Sequence, residues 1–297
     1  MTKKVIVTGG AGFVGTNLIK ALNKKGYECI SLDNYSTGSK QNHVEGNLYI
    51  DTDISKEYDQ YLHGNQNEIL KNNKVYDGVI AIFHLAAFAR IQPSFKRTGE
   101  YLNNNITSTV KVLEVAREKN IPVIYSGSSS HYSGKYTNPY TFSKEVGEEL
   151  VKLYQDIHNV KASIARFYNV YGPNQLEDGP YCTIIGKWLK QKRNNEKLSI
   201  YGNGSKRRDF THVYDIVDGL IKILEYNIWG KTFEFGTGKN YSLNELAEIF
   251  NNEQGVIYYD DKPGEAQSTK CDYFLATDLL NWKPKIELES WIKEEKS

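Results

Sequence analysis

The chain lacks an excess of charge of either sign: 37 Lys and Arg stand against 36 Asp and Glu, a formal net charge of +1. That balance excludes the strong positive field of a nucleic-acid binder, so DNA and RNA are not expected partners. Also missing is any apolar run approaching the roughly 18 residues of a membrane span. The start, Met1-Thr2-Lys3-Lys4 running straight into Val5-Ile6-Val7, is too short for the apolar core of a signal peptide. A cytoplasmic protein with no membrane contact is expected. Cysteine is scarce: Cys29, Cys182 and Cys271 are odd in number, widely separated and not spaced with the six histidines as metal ligands. All three read as packing residues, and no metal site is expected.

What is present describes a globular chain, with 39% hydrophobic and 25% charged residues. Its 297 residues lie near the upper limit for one core, so two lobes are expected. Short apolar runs rich in β-branched residues predict strands at 5–8, 29–32, 48–50, 79–84, 123–126 and 162–167. Helical patterns fall between them at 12–25, 98–119 and 140–158; in the second, Leu102, Ile106, Val110 and Leu113 form an apolar stripe. This alternation implies a parallel sheet with right-handed crossovers. Beyond residue 167 the rhythm loosens into a loop-rich stretch, a helix at 184–193, a loop at 202–208 and a helix at 243–250. The polar segments 66–74 and 193–197 read as solvated surface.

Gly9, Gly12 and Gly15 sit where the first strand turns into the first helix, so the backbone there can turn tightly, approach a pyrophosphate and offer it helix N-terminal NH groups. The second strand ends at Asp33, about 20 residues further on, where a carboxylate accepts hydrogen bonds from a ribose 2′-OH and repels a 2′-phosphate. That favours NAD over NADP. Tyr140 and Lys144 lie four apart on a predicted helix, which stacks phenol and ammonium on one face. A cation beside a tyrosine favours its phenolate, so Lys144 is expected to lower the Tyr140 pKa from roughly 10 toward neutrality and make it a proton shuttle. Ser126-Gly127-Ser128-Ser129-Ser130-His131-Tyr132 ends the fifth strand just ahead of that pair, at the carboxyl edge where such sheets bind ligands.

With its Gly-x-x-Gly-x-x-Gly loop and these segments in order, nearly the whole chain resembles the extended short-chain dehydrogenase/reductase family, in its NAD-dependent nucleotide-sugar epimerase and dehydratase branch. The resemblance implies a Rossmann-type doubly wound α/β domain over 1–168. A smaller C-terminal α/β substrate lobe would follow over 169–297, with some segments returning to the first. It assigns Ser128, Tyr140 and Lys144 to catalysis. It gives the cofactor Phe13 and Val14 beside the glycines, then Asp33, Asn34, Ser36, Thr37 and Gly38 for the ribose, and Asp53 and Ile54 for the adenine. Leu85, Ala86 and Ala87, Asn105, Ser126 and Phe167 complete that set, with Tyr140 and Lys144 shared. His84, at the head of the Leu85-Ala86-Ala87 stretch, reads as a packed histidine.

On the substrate side the resemblance implies that Asn169 and Arg208 bind a diphosphate, that Tyr201 lines the nucleobase pocket, and that Lys262 and Glu265 touch phosphate and ribose. Ser128 would also touch the sugar. Lys262 stands where many relatives carry arginine, which replaces a bidentate fork by a point charge. Sugar-nucleotide 4,6-dehydratases of the family carry an Asp-Glu pair beside the catalytic serine, and decarboxylases a glutamate; here those positions are serines. What remains is oxidation at C4, rotation of the 4-keto sugar and return of hydride to its other face, on a UDP-hexose or UDP-N-acetylhexosamine. Thr269, near the position that gates C2 substituents, suggests tolerance of the N-acetyl group. A nucleotide-sugar reductase or other extended short-chain dehydrogenase stays open, as do, less favoured, a dehydratase, a decarboxylase and a non-enzymatic NAD-binding regulator. A homodimer through the 98–119 and 140–158 helices is implied as well.

Overall fold

The computed structural model describes residues 3–56 and 73–295. The polar stretch 66–74 lies largely outside them. The six apolar runs form β1 (Lys3–Thr8), β2 (Tyr27–Asp33), β3 (Leu48–Asp51), β4 (Val79–His84), β5 (Val123–Ser128) and β6 (Ala162–Phe167). They pair in parallel in the order β6-β5-β4-β1-β2-β3. In this doubly wound order the chain starts at the centre and winds out both ways, which leaves a crevice outside the carboxyl ends of β1 and β4. A seventh strand, Thr232–Phe235, pairs in parallel with β6. It was not among the predicted strands, and it brings a segment from beyond residue 169 into the first sheet.

Both faces of the sheet are dry, which is why its strands read as continuous apolar runs. Helices Phe13–Lys24, Val213–Glu225 and Phe274–Leu280 cover one face over Leu18, Leu22, Phe83, Leu220 and Trp282. Helices Ser108–Lys119 and Pro139–His158 cover the other over Leu113, Tyr125, Val151 and Ile164. Each such buried side chain contributes about 1.5–3 kcal/mol. The 98–119 helix carries a π turn at Asn103–Thr107. The wider turn carries Asn105 inward, where it accepts from the Phe88 NH (2.8 Å) and donates to the Phe88 carbonyl (3.1 Å) and Ser143 Oγ (2.9 Å). Asn105 thereby ties the chain after β4 to the Pro139–His158 helix.

The C-terminal part of the chain contributes a further apolar core around Trp188, Ile200, Phe210, Leu246, Phe250 and Ile292. Its predicted 202–208 loop is shorter than expected, because Arg207 and Arg208 begin strand Arg207–Asp209, antiparallel to Asn240–Ser242. Buried Asp209 fixes that strand by accepting the NH groups of Thr237, Gly238 and Cys271. Cys29 and Cys271 are buried, and burial pushes the Cys29 thiol up to about 12. Cys182 departs from the packing expectation: it is only partly buried and lines a cavity wall. No described helix is long and apolar enough to cross a membrane.

Candidate active site

A cavity opens at the crevice between β1 and β4, and its shape follows from the turn after β1. Gly9 adopts φ +71°, and a Cβ there would lie 2.9 Å from the Ala86 nitrogen. A Cβ on Gly15 would lie 2.2 Å from the Gly9 carbonyl oxygen. Only glycine lets this turn, the first helix and the chain after β4 approach so closely. Asp33 closes the end of β2, its carboxylate accepting the NH groups of Ala11 (2.9 Å) and Tyr35 (2.8 Å). Burial raises its pKa, against those two hydrogen bonds.

Gly9, Gly12, Phe13, Val14, Gly15, Asp33, Asn34, Ser36, Thr37, Asp53, Ile54, Leu85, Ala86, Ala87 and Phe167 all line this cavity. Gly38, Asn105, Ser126 and Lys144 are not among the residues that line it. Gly38 packs against Ala11 and Asp33, where a Cβ would meet the Ala11 carbonyl at 3.0 Å. A glycine cradle at a helix start, with a carboxylate at the next strand end, fits a dinucleotide pyrophosphate and ribose.

His84 is held as a neutral imidazole. Thr8 Oγ1 accepts from the Leu85 and Ala86 NH groups, so its own proton goes to His84 Nδ1 (2.8 Å). Thr109 Oγ1 donates to the Asn105 carbonyl and so accepts from His84 Nε2 (3.1 Å). Burial lowers the His84 pKa to about 3. The packed-histidine reading stands, and this chain fixes the Leu85–Ala86 backbone against the glycine turn.

The chemical end is set by a helix start. Asn138 caps the Pro139–His158 helix, its side chain accepting from the Thr141 NH at 2.7 Å, and Pro139 follows where its missing NH costs nothing. Tyr140 comes next and donates to Ser128 Oγ at 3.3 Å, at the end of β5. Both line the cavity. Lys144 lies one turn further along the same helix. It is buried with Nζ 3.4 Å from Ser126 Oγ and 4.5 Å from the Tyr125 ring centroid, and burial lowers its pKa to about 8. Burial also raises the Tyr140 pKa above its usual value, with the Ser128 hydrogen bond and Arg90 acting the other way. Desolvation outweighs both, and Arg90 is a cation that pulls the phenol's pKa down.

Arg90 was not singled out from sequence. It lines the same cavity, and its backbone sits at φ +104°, ψ 135°, a region that costs a non-glycine residue on the order of 1–3 kcal/mol. Also missed was the network beneath Gly127. There Arg166 pairs with Glu148 (2.6 Å) and Glu234 (2.9 Å), and Glu234 accepts from the hydroxyls of Tyr168 (2.6 Å) and Tyr132 (2.8 Å).

The substrate-side residues divide between this cavity and a second one. Asn169, Arg208 and Glu265 line both. Arg208 donates to Glu265 at 3.1 Å, and Asn169 donates to the Asp209 carbonyl at 2.8 Å. Tyr201 and Lys262 line only the second cavity, the Lys262 ammonium 3.3 Å from the Tyr201 ring centroid. Thr269 lines the first.

The family model described as the NAD dependent epimerase/dehydratase family matches residues 5–236. The chain belongs to that family. NAD is accordingly its cofactor, and a nucleotide-sugar epimerase, dehydratase or decarboxylase is the class of enzyme. A Methanocaldococcus jannaschii protein provisionally named UDP-glucose 4-epimerase is 30% identical over 97% of this chain and 96% of its own length. The UDP-N-acetyl-alpha-D-glucosaminuronate decarboxylase of Bacillus cytotoxicus is 25% identical over 99% and 97%. The solved Thermotoga maritima UDP-glucose 4-epimerase with UDP-glucose superposes with a TM-score of 0.88 at 25% identity, covering 98% of this chain and 96% of that one.

Proposed function

We propose that the protein is an NAD-dependent nucleotide-sugar 4-epimerase that inverts C4 of a UDP-hexose or UDP-N-acetylhexosamine through a 4-keto sugar. The observation that carries the reading is the Tyr140–Ser128 pair, 3.3 Å apart, on the wall of the cavity that the glycine turn opens. Asp33 and Asp53 line the same cavity, Asp33 at the end of β2 beside the glycine turn, and Glu265 is paired with Arg208. Ser129 and Ser130, not an acid pair, stand beside Ser128. Among the described residues none of these carboxylates is hydrogen-bonded to Tyr140 or Ser128, so dehydration at C5 is given no base beside them, and Tyr140 is the group placed to move a proton.

When bound, NAD supplies the hydride acceptor and donor, together with a positive charge on the nicotinamide ring. Tyr140 takes the proton of the sugar hydroxyl and returns it, and Ser128 hydrogen-bonds the same oxygen. Lys144, in reach of Ser126, would hold the cofactor ribose. Asn169 and Arg208 hold the diphosphate, with Lys262, Glu265 and Tyr201 reaching the nucleoside end. Exposed Leu153 and Ile157 on the Pro139–His158 helix support a homodimer through that face.

Assay of UDP-sugars with catalytic NAD tests the reading. The expected result is interconversion of C4 epimers with no net absorbance at 340 nm. Tyr140→Phe should lower turnover at least about 100-fold while NAD still binds. Stoichiometric NADH formation, or turnover surviving in Tyr140→Phe, would overturn it.

A further inference from the structure

The chain has seven arginines, and six of them pair with a carboxylate: Arg97, Arg117, Arg166, Arg193, Arg207 and Arg208. Arg90 enters no ion pair among the described residues. Its Nε donates to the carbonyl oxygens of Tyr181 and Cys182, both at 3.2 Å. Those bonds grip the guanidinium by one edge and leave Nη1 and Nη2 without a hydrogen-bond partner among the described residues. Burial lowers its pKa from the usual arginine value, more than the nearby Tyr140, Cys182, Tyr101 and Glu265 offset. The backbone is held at φ +104° to place it there.

Its position says what would complete it. Arg90 lines the first cavity with Ser128 and Tyr140, and the second with Asn169 and Arg208. In a nucleotide sugar bound with its diphosphate at Arg208 and its reacting hydroxyl at Tyr140, only the sugar ring lies between. We propose that Arg90 is a carboxylate receptor and that the substrate is an acidic nucleotide sugar, a hexose bearing a carboxylate at C6 or on a ring substituent. The proposal rests on the nucleotide-sugar reading above. Two free Nη groups match the two oxygens of a carboxylate in a planar bidentate fork. A neutral sugar would leave a desolvated guanidinium uncompensated, and that penalty gives selectivity against it as well as attraction to the acid.

Calorimetric titration of the NAD-loaded Tyr140→Phe protein with two matched pairs tests this: UDP-glucose against UDP-glucuronate, and UDP-N-acetylglucosamine against UDP-N-acetylmuramate. In at least one pair the acid should bind about 30-fold tighter or better, and the pair that does so locates the carboxylate. Adding Arg90→Gln should collapse that ratio to within about 3-fold, whereas Arg90→Lys should keep part of it. Arg90→Gly, which the positive φ favours, guards against a folding defect in the glutamine variant, and thermal melts verify each protein. Neutral members binding as well as the acids, or Arg90→Gln weakening both members equally, would overturn the proposal. So would a wild-type-background Arg90→Gln whose only change is a pH–rate profile shifted alike for both sugars, since Arg90 would then serve Tyr140 alone. Failure of every nucleotide sugar to bind would instead sink the nucleotide-sugar reading itself. Acid-selective binding followed by loss of CO2 in the wild type would uphold the receptor and overturn the epimerase.

Discussion

Replacing Arg166 by methionine tests the network under the catalytic strand end. Arg166 is 7% exposed and donates through Nε and Nη2 to Glu148, and through Nη1 to Glu234. Burial works against its charge, but the two carboxylates more than offset that and hold the arginine above its usual pKa. Methionine fills much of the volume and leaves buried Glu148 and partly buried Glu234 without their cation. Breaking a buried pair in this way costs about 3–5 kcal/mol. With an unfolding entropy of roughly 2.1 cal/mol/K per residue, the loss corresponds to about 5–8 °C in Tm. Urea unfolding and calorimetry at pH 7.5 would read both. The uncompensated carboxylates make the folded state bind more protons than the unfolded one, so the deficit should shrink as pH falls toward 5. Adding Glu148→Leu should recover at least about 1 kcal/mol, because Glu234 keeps the hydroxyls of Tyr132 and Tyr168. A loss under about 1 kcal/mol for Arg166→Met, or no recovery in the double variant, would refute the reasoning.

Two further outcomes follow from distances and titration. Gly15→Ala places a methyl 2.2 Å from the Gly9 carbonyl oxygen and 2.7 Å from the Gly10 Cα, backbone that cannot swing aside. It should cost about 1–3 kcal/mol and weaken NAD binding at least about 10-fold by fluorescence titration. Gly26→Ala, at φ +83° with open space around it, should lose stability through strain yet leave NAD affinity unchanged, and equal NAD affinities in the two variants would contradict the cradle. For His84, burial depresses the folded pKa to about 3 against roughly 6.5 unfolded, so its contribution is complete above pH 6.5 and lost as pH falls. Between pH 7.5 and 5.5 wild type should therefore lose about 1.4 kcal/mol more than His84→Asn, and equal slopes in urea unfolding would refute it.

The parts of the site legible in sequence are those that impose a local pattern. The β-branched runs of β1, β4, β5 and β6 had to be continuous because both sheet faces are covered. Gly9 and Gly15 show because backbone approaches them within van der Waals distance. Tyr140 and Ser128 show because a helix start and a strand end meet at the sheet's carboxyl edge. The π turn at Asn103–Thr107 left the apolar stripe of Leu102, Ile106, Val110 and Leu113 intact, so periodicity could not reveal it. The asparagine run 103–105, poor helix formers inside a helical pattern, was the available signal.

Arg90 left no such trace, and the reason is physical. Its role depends on what it does not touch: a guanidinium without a carboxylate looks, in sequence, like any arginine after an apolar run. Only the folded chain shows that the partners nearest in space, Tyr181 and Cys182, offer carbonyl oxygens and no charge. Lys144 makes the complementary point. A spacing of four does put it on the Tyr140 face of the helix, yet its amine reaches Ser126 and the Tyr125 ring, and a charge that pulls the phenol's pKa down comes from Arg90, fifty positions earlier in the chain. Helical spacing fixes where a side chain leaves the backbone, whereas the electrostatics of a buried site depends on where each long side chain ends.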